Sequence, residues 1–346
     1  MTFRKFRKFC MLSLIVSLFG AATAVHADSD PKTLVVSSSN AAKNQLLVYN
    51  SEGSLVQTIA TQGKGGVSGN AGGIEAKRNV VAVVNFGSQS VSMFERDADD
   101  GLHLAQLVPT ASSPVSVAFG DDHLYILGTT TVESHRMFGS VVSSSSDGVV
   151  TLLKADGSAA QVGVLPNQLI ITEKSNTMET VNLLPGGAVG GVPTLVKDIP
   201  SNVNTPFGLV TRGNDAYVTI AHANEISLVR NDTVLTVTGS GTQSSPCWLT
   251  LVGPFLFSSN SPSMSVSRYA VYGQKIVQDA AVVASLNGDP TDIASGEGLV
   301  AVIDGNGTLS HLSIFTVDED GNLTLRIANT ISGAANGVAV VRGDED

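Results

Sequence analysis

Pro114–Met137, PVSVAFGDDHLYILGTTTVESHRM, is the stretch whose reading decides the fold. An alternating run (Val115, Val117, Phe119) reads as a strand, and Gly120, Asp121 and Asp122 as a turn. Leu124–Leu127 reads as a second strand, followed by a polar turn ending in Glu133, His135 and Arg136. Short apolar runs parted by turn residues are the mark of antiparallel strands. The pattern recurs along the chain. Comparable openings start at Ala71 (AGGIEA), Gln161 (QVGVL), Pro206 (PFGLV), Pro246 (PCWLT), Pro290 (PTDIA) and Ala335 (ANGVAV), at steps of 43, 47, 45, 40, 44 and 45 residues. A period of about 40–45 residues is that of a four-stranded propeller blade.

The two ends of the chain complete the count. Ahead of Ala71 lie only three strands, at Thr33–Ser37, Gln45–Tyr49 and Leu55–Ile59, and Gly337–Val341 is a single strand with only RGDED after it. The C-terminal strand is therefore expected to supply the innermost strand of the first blade, which closes the ring and removes its open edges. The reading is all-β: a seven-bladed β-propeller of four-stranded antiparallel blades over residues 28–346. Helical periodicity is not evident after the leader, and no linker of distinct composition divides the chain.

Residues 1–27 read as a secretory signal peptide. Arg4, Lys5, Arg7 and Lys8 precede an apolar stretch from Phe9 to Phe19, and small residues lead to Val25-His26-Ala27. Removing those four basic residues leaves 16 basic against 30 acidic residues, net −14. So acidic a surface disfavours nucleic acid and anionic membrane, because phosphate binding needs clustered Lys and Arg. No later segment is long and apolar enough to span a bilayer. An exported monomer, secreted or periplasmic, is expected. Only Cys247 remains after cleavage, so no intrachain disulfide is available, and its apolar neighbours make it a small buried hydrophobe rather than a reactive thiol.

Several motifs are only superficially present. The acidic runs at 318–322 and 304–307 lack the twelve-residue spacing and terminal Glu of a calcium loop and read as turns. Gly63-Lys64-Gly65-Gly66 is followed by no Ser or Thr of a phosphate loop, and there is no Gly-x-Ser-x-Gly elbow. No His-x-His or His-Glu-x-x-His spacing exists, so neither a metal nor a cofactor is expected.

Strands that alternate in direction bring the turn between the second and third strands of a blade to the same end as the loop into the next blade. That end carries Asn40, Asn44, Asn85, Glu133, His135, Arg136, Glu173, Lys174, His222, Asn224, Asn260, Asp304 and Asn306. Glu133, His135 and Arg136 combine a carboxylate, an imidazole and a guanidinium, the elements of a general base and an oxyanion partner, or else decorate a solvated turn. Within a strand, 133 and 135 would share a face and 136 would point away. His222 is a second candidate base. The third residue of each opening should approach the axis: Gly73, Ser116, Gly163, Gly208, Trp248, Asp292 and Gly337. Trp248 and Asp292 break a run of small residues. Trp248 reads as a pocket wall or as a plug of the channel, and Asp292 as a pocket carboxylate or as a cap on a backbone N–H after Pro290.

NVVAVVNFGSQSVSMFERDADDGLHL, PVSVAFGDDHLYILG, SSPCWLTLVGPFLFSSN with SVSRYAVYG, and GDPTDIA resemble the seven-bladed propeller lactonase family, which includes bacterial 6-phosphogluconolactonases and fungal carboxymuconate-lactonizing enzymes. The resemblance implies opening of a lactone by water, or the reverse closure, with His, Glu and Arg at the channel mouth. By type and position Glu133, His135, Arg136 and Arg268 are the nearest matches. The chain departs from the family in having few histidines. Export argues against a phosphorylated sugar lactone, so a small unphosphorylated lactone is the expected substrate. His135 or His222 would activate water, Arg136 would stabilise the oxyanion, and Asn85, Trp248, Asn260, Arg268, Asp292 and Asp304 would surround the ring. The alternative is a non-enzymatic binding module for a protein, glycan or small ligand on the same face, since fold alone does not decide.

Overall fold

A computed structural model describes residues 32–97 and 101–342. The proposed leader, residues 1–27, lies outside the described residues. Seven antiparallel sheets form the blades. Blade 1 runs, from the axis outward, Asn336–Val341, Leu34–Ser38, Gln45–Asn50 and Leu55–Ala60. The C-terminal strand therefore closes the ring, as the complementary fragments predict. Its register pairs Val36 with Ala339 and Leu34 with Val341, and Ser37 Oγ donates to the Gly337 carbonyl at 2.8 Å. Blades 2 to 7 begin with inner strands Ile74–Lys77, Pro114–Phe119, Ala159–Leu165, Pro206–Arg212, Pro246–Val252 and Asp289–Gly296. Each inner strand packs beside that of the next blade all round the ring.

Burial follows position in the blade. Inner and second strands such as Val80–Asn85 are buried on both faces, whereas outer strands such as Leu55–Ala60 alternate with solvent. A strand sandwiched on both faces reads as a continuous apolar run. Apolar side chains from neighbouring blades form the core between them, for instance Val117, Ile126 and Leu127 of blade 3 with Val162 and Leu169 of blade 4. Register shifts lie near the start of the inner strands of blades 3 to 7, between Pro114 and Ser116 and again between Pro246 and Trp248 and between Pro290 and Asp292. A bulge re-aims the side chain that follows it. Here it directs the residues after the bulge, Trp248 and Asp292 among them, to the axis.

One expectation is corrected. Glu133, His135 and Arg136 are not in a turn: they lie on the strand Thr131–Phe138, the third of blade 3, paired with His123–Gly128 and with Gly148–Thr151. The turn is only Thr129 and Thr130, and Arg136 pairs with His123 at the opposite end of the blade. Besides strands, the described residues hold two single 3-10 turns, Phe86–Ser88 and Ala221–Ala223, ended by left-handed Gln89 and Asn224. Among the described residues no helix is long and apolar enough to cross a membrane.

Candidate functional site

The axis carries two cavities. The upper one, about 440 Å3, lies at the mouth where the interblade loops converge. Its apolar surface comes from Phe207, Ala221, Cys247, Trp248 and Ala335, and its polar rim from Asn40, Lys174, Thr205, His222, Asp289 and Asn336. The loop 61–73, between the first two blades, crosses this mouth. Asn40 pins it: the side-chain oxygen accepts from the Gly66 and Val67 N–H at 2.7 and 3.1 Å, and the amide donates to the Val67 carbonyl at 2.9 Å. Lys174 Nζ donates to the Gly69 carbonyl of the same loop at 2.6 Å, and burial draws its ammonium below the usual lysine value. His222 sits exposed on the 3-10 turn of blade 5, its Nδ1 3.0 Å from the Thr205 hydroxyl. Cys247 is buried, and burial pushes its thiol up to about 12, so it offers no thiolate to this cavity.

Trp248 is both wall and plug. It lines the upper cavity and also the lower one, and is only 7% exposed. Phe207 meets it edge-on at 5.3 Å, and its indole N–H donates across the axis to the Asn70 carbonyl at 3.0 Å. Asn70 also donates to the Val115 carbonyl at 2.7 Å and accepts from the Asn336 amide at 3.3 Å. One loop residue thus ties blades 1, 3 and 6 together over the channel.

Below Trp248 lies a chamber of about 390 Å3 lined by residues of all seven blades. Two carboxyl groups line it. Asp292, 5% exposed, accepts the Ile293 N–H at 2.9 Å and the Val338 N–H at 3.2 Å, so it both caps backbone and faces the chamber. Glu75 comes from the inner strand of blade 2. It is surrounded by protein yet keeps part of its surface open to the lumen. Burial pushes Glu75 up to about 8, with the Asp292 charge adding to it, and pushes Asp292 up to about 7 against its two backbone donors. Glu75 escaped the sequence reading. It stands two residues past Gly73, on the same face of the strand, and that spacing was the available signal.

The other candidates fall elsewhere. Glu133 is 5% exposed and its carboxylate accepts the Ala111 N–H at 3.2 and 3.3 Å, holding the loop into blade 3. His135 is 1% exposed and donates from Nδ1 to the Ser143 carbonyl at 2.8 Å, with Nε2 3.9 Å from Glu133. Burial opposes its charge, but Glu133 and the Ser143 carbonyl outweigh this and raise its pKa. Arg136 is exposed on the other face of the strand. Arg268 spans blades 6 and 7, 3.1 Å from Asp279 and 2.7 Å from the Asp320 carbonyl, with its guanidinium over Phe255. Neither arginine lines the mouth cavity.

Asn85 and Asn260 end the second strands of blades 2 and 6, Asp304 is the last residue but one of that of blade 7, and their side chains turn into the blade. Asn85 donates to Ser92 at 2.8 Å, Asn260 to Ser267 at 2.8 Å, and Asp304 pairs with His311 at 2.8 Å. Buried polar groups satisfied this way pin the adjoining turn. Of the named candidates only His222 and Trp248 meet in the mouth, joined by Lys174, and Trp248 and Asp292 meet in the chamber. Among the described residues no group of three or more His, Cys, Asp or Glu is placed to hold a metal.

No family model matches the chain, and no curated protein sequence matches it. Solved structures do. The periplasmic gluconolactonase PpgL of Pseudomonas aeruginosa is similar over 90% of this chain and 98% of its own, with a TM-score of 0.66 and 14% identity. A candidate 6-phosphogluconolactonase from Bacteroides fragilis covers the same shares with a TM-score of 0.63 and 14% identity. A functionally unknown protein from Desulfotomaculum acetoxidans covers 90% and 99%, with a TM-score of 0.65 and 14% identity. At such identity the likeness is one of fold. The chain is a seven-bladed β-propeller, and it shares its architecture with these solved structures.

Proposed function

We propose that the protein is an exported lactonase-like propeller that takes a small unphosphorylated cyclic ester into the mouth cavity and opens it with water. The observation that carries this reading is the meeting of His222 and Lys174 over the apolar floor of Phe207 and Trp248. The floor receives the carbon face of a small ring, and the polar rim receives its hydroxyls. Thr205 holds Nδ1 of His222, which leaves Nε2 to take a proton from water as the oxygen attacks the carbonyl carbon. The Lys174 ammonium, anchored on the Gly69 carbonyl, stabilises the oxyanion. The ring C–O bond then breaks, and His222 returns the proton to the departing alkoxide, giving a hydroxy acid. The basic start and apolar run before Ala27 support export, and a neighbour named as a periplasmic gluconolactonase agrees with that compartment.

A binding module is the second reading, and one observation favours it: His222 is oriented by the Thr205 hydroxyl and not by the carboxylate of a base–orienter pair. The test is turnover of a panel of unphosphorylated aldonolactones and aliphatic lactones. His222→Ala should lower kcat by about 10² or more, whereas a His135→Ala, Arg136→Ala variant should keep wild-type turnover. Undiminished turnover in His222→Ala would overturn the assignment of the base. No turnover on any lactone, with saturable binding of one of them, would establish the binding module instead.

A further inference from the structure

The chamber beneath Trp248 takes no part in the chemistry proposed for the mouth. Its charged lining residues are Glu75 and Asp292, from inner strands on different blades, and no Lys, Arg or His is among the residues that line it. Blades 1 and 3 to 6 present only uncharged residues to it: Val338, Val117, Gln161, Leu209, Thr211, Leu249 and Thr250 are representative. Lys77, two residues beyond Glu75, is drawn off to the Gly120 and Asp121 carbonyls at the end of blade 3. Among the described residues Glu75 has no hydrogen-bond or ion-pair partner, and its half-buried side chain lines the lumen. A carboxyl that the protein partly desolvates without pairing it gains from a ligand that supplies the partner.

We propose that this chamber is a second ligand site, for a small organic cation: an alkylammonium whose charged head lies between Glu75 and Asp292. Its carbon skeleton rests on Leu209, Leu249 and the indole of Trp248, whose face also attracts a cation. An anion is disfavoured because no basic residue lines the chamber to receive it. A bare metal ion is a poor fit, because two carboxylates fall short of the six to eight oxygens a calcium ion takes, and 390 Å3 is far larger than one ion needs.

The site couples to protons. Burial holds protons on Glu75 and Asp292 near neutrality, so an entering ammonium ion must displace them. Affinity therefore rises with pH through the range from about 7 to about 8, and binding releases protons.

The experiment is calorimetric titration of the full protein with n-butylammonium, with n-butanol as the neutral probe of the same size, below and above that pH range and in buffers of different ionisation enthalpy. The chain's single tryptophan roofs the chamber, so its emission gives an independent readout. Saturable binding of butylammonium at high pH, at least tenfold weaker at low pH and with proton release, is expected. Glu75→Gln, which disturbs no hydrogen bond, should weaken binding at high pH at least tenfold and reduce the proton release. Asp292→Asn also removes a backbone cap, so its loss of binding counts only if its melting curve stays cooperative. Absence of binding at both pH values, equal binding of butanol, or wild-type affinity in Glu75→Gln would each overturn the proposal. None of these outcomes bears on lactone turnover at the mouth.

Discussion

Trp248→Ala should destabilise the protein by about 3 kcal/mol, at the low end of the usual cost of truncating a buried tryptophan. The indole is 7% exposed and contributes a cross-axis hydrogen bond to the Asn70 carbonyl and an edge-on contact with Phe207. The hydrogen bond is worth about 1 kcal/mol net, and the aromatic pair about another 1 kcal/mol beyond its buried area. The low end applies because the ring separates two cavities that water can enter, so the vacated volume is solvated rather than left empty. For a domain of this size the change corresponds to a drop in Tm of roughly 4–6 °C. Trp248→Phe keeps most of the plug but orphans the Asn70 carbonyl, and should cost about 1–2 kcal/mol. Circular dichroism melts of the three proteins provide the measurement, since Trp248→Ala has no tryptophan emission left. A Trp248→Ala protein that melts within about 1 °C of wild type would refute the view that this residue braces the axis.

Gly208→Ala should be costly for its size, because a Cβ there would lie 2.1 Å from the Cys247 carbonyl oxygen and 2.8 Å from Trp248 Cα. Only backbone movement relieves such contacts, so a loss of about 2 kcal/mol or more is expected in denaturant titration, and a neutral result would mean that the inner strands are less crowded than they look. Glu173 is buried against Glu179 in blade 4, and burial with that neighbour pushes its pKa up to about 8. The unfolded value is about 4.3, so the folded state holds a proton that the unfolded chain releases. The resulting stability is full below the unfolded value and is lost as pH rises through about 8. Glu173→Gln should flatten the fall of Tm between pH of about 5 and about 9 relative to wild type, and parallel profiles would refute the assignment of the retained proton to Glu173.

The blade count and the closing strand were legible because a fold of repeats prints its period in the chain. The three strands before Ala71 and the single strand at Gly337–Val341 complete one another without further information. Trp248 and Asp292 were also readable, as large or charged residues where small ones recur. Glu133, His135 and Arg136 misled for a physical reason. Polar TTTVESHR looks like a turn, but the strand is buried because later residues supply its partners: Ser143 for His135 and Asp147 for Ser134. Local sequence does not announce partners from a loop further along. Asn85, Asn260 and Asp304 lie at the turns expected of them, yet their side chains point inward to hydroxyls or an imidazole on the neighbouring strand, a choice that period alone leaves open. The Glu75–Asp292 pairing joins blades at opposite ends of the sequence and needs the closed ring to be seen.

That the last strand of the chain is the first strand of blade 1 also fixes when the molecule can become whole. The bond from Ser37 to Gly337 joins residues 300 positions apart, and Leu34–Ser38 has no inner neighbour until Asn336–Val341 arrives. Blades 2 to 7 can assemble in order as the chain is synthesised, but the ring keeps one unpaired edge until Asn336–Val341 is in place. Contacts so distant in sequence form slowly. Completion therefore waits on Asn336–Val341, and a chain lacking that strand would hold Leu34–Ser38 in an open, edge-exposed state of the kind that aggregates.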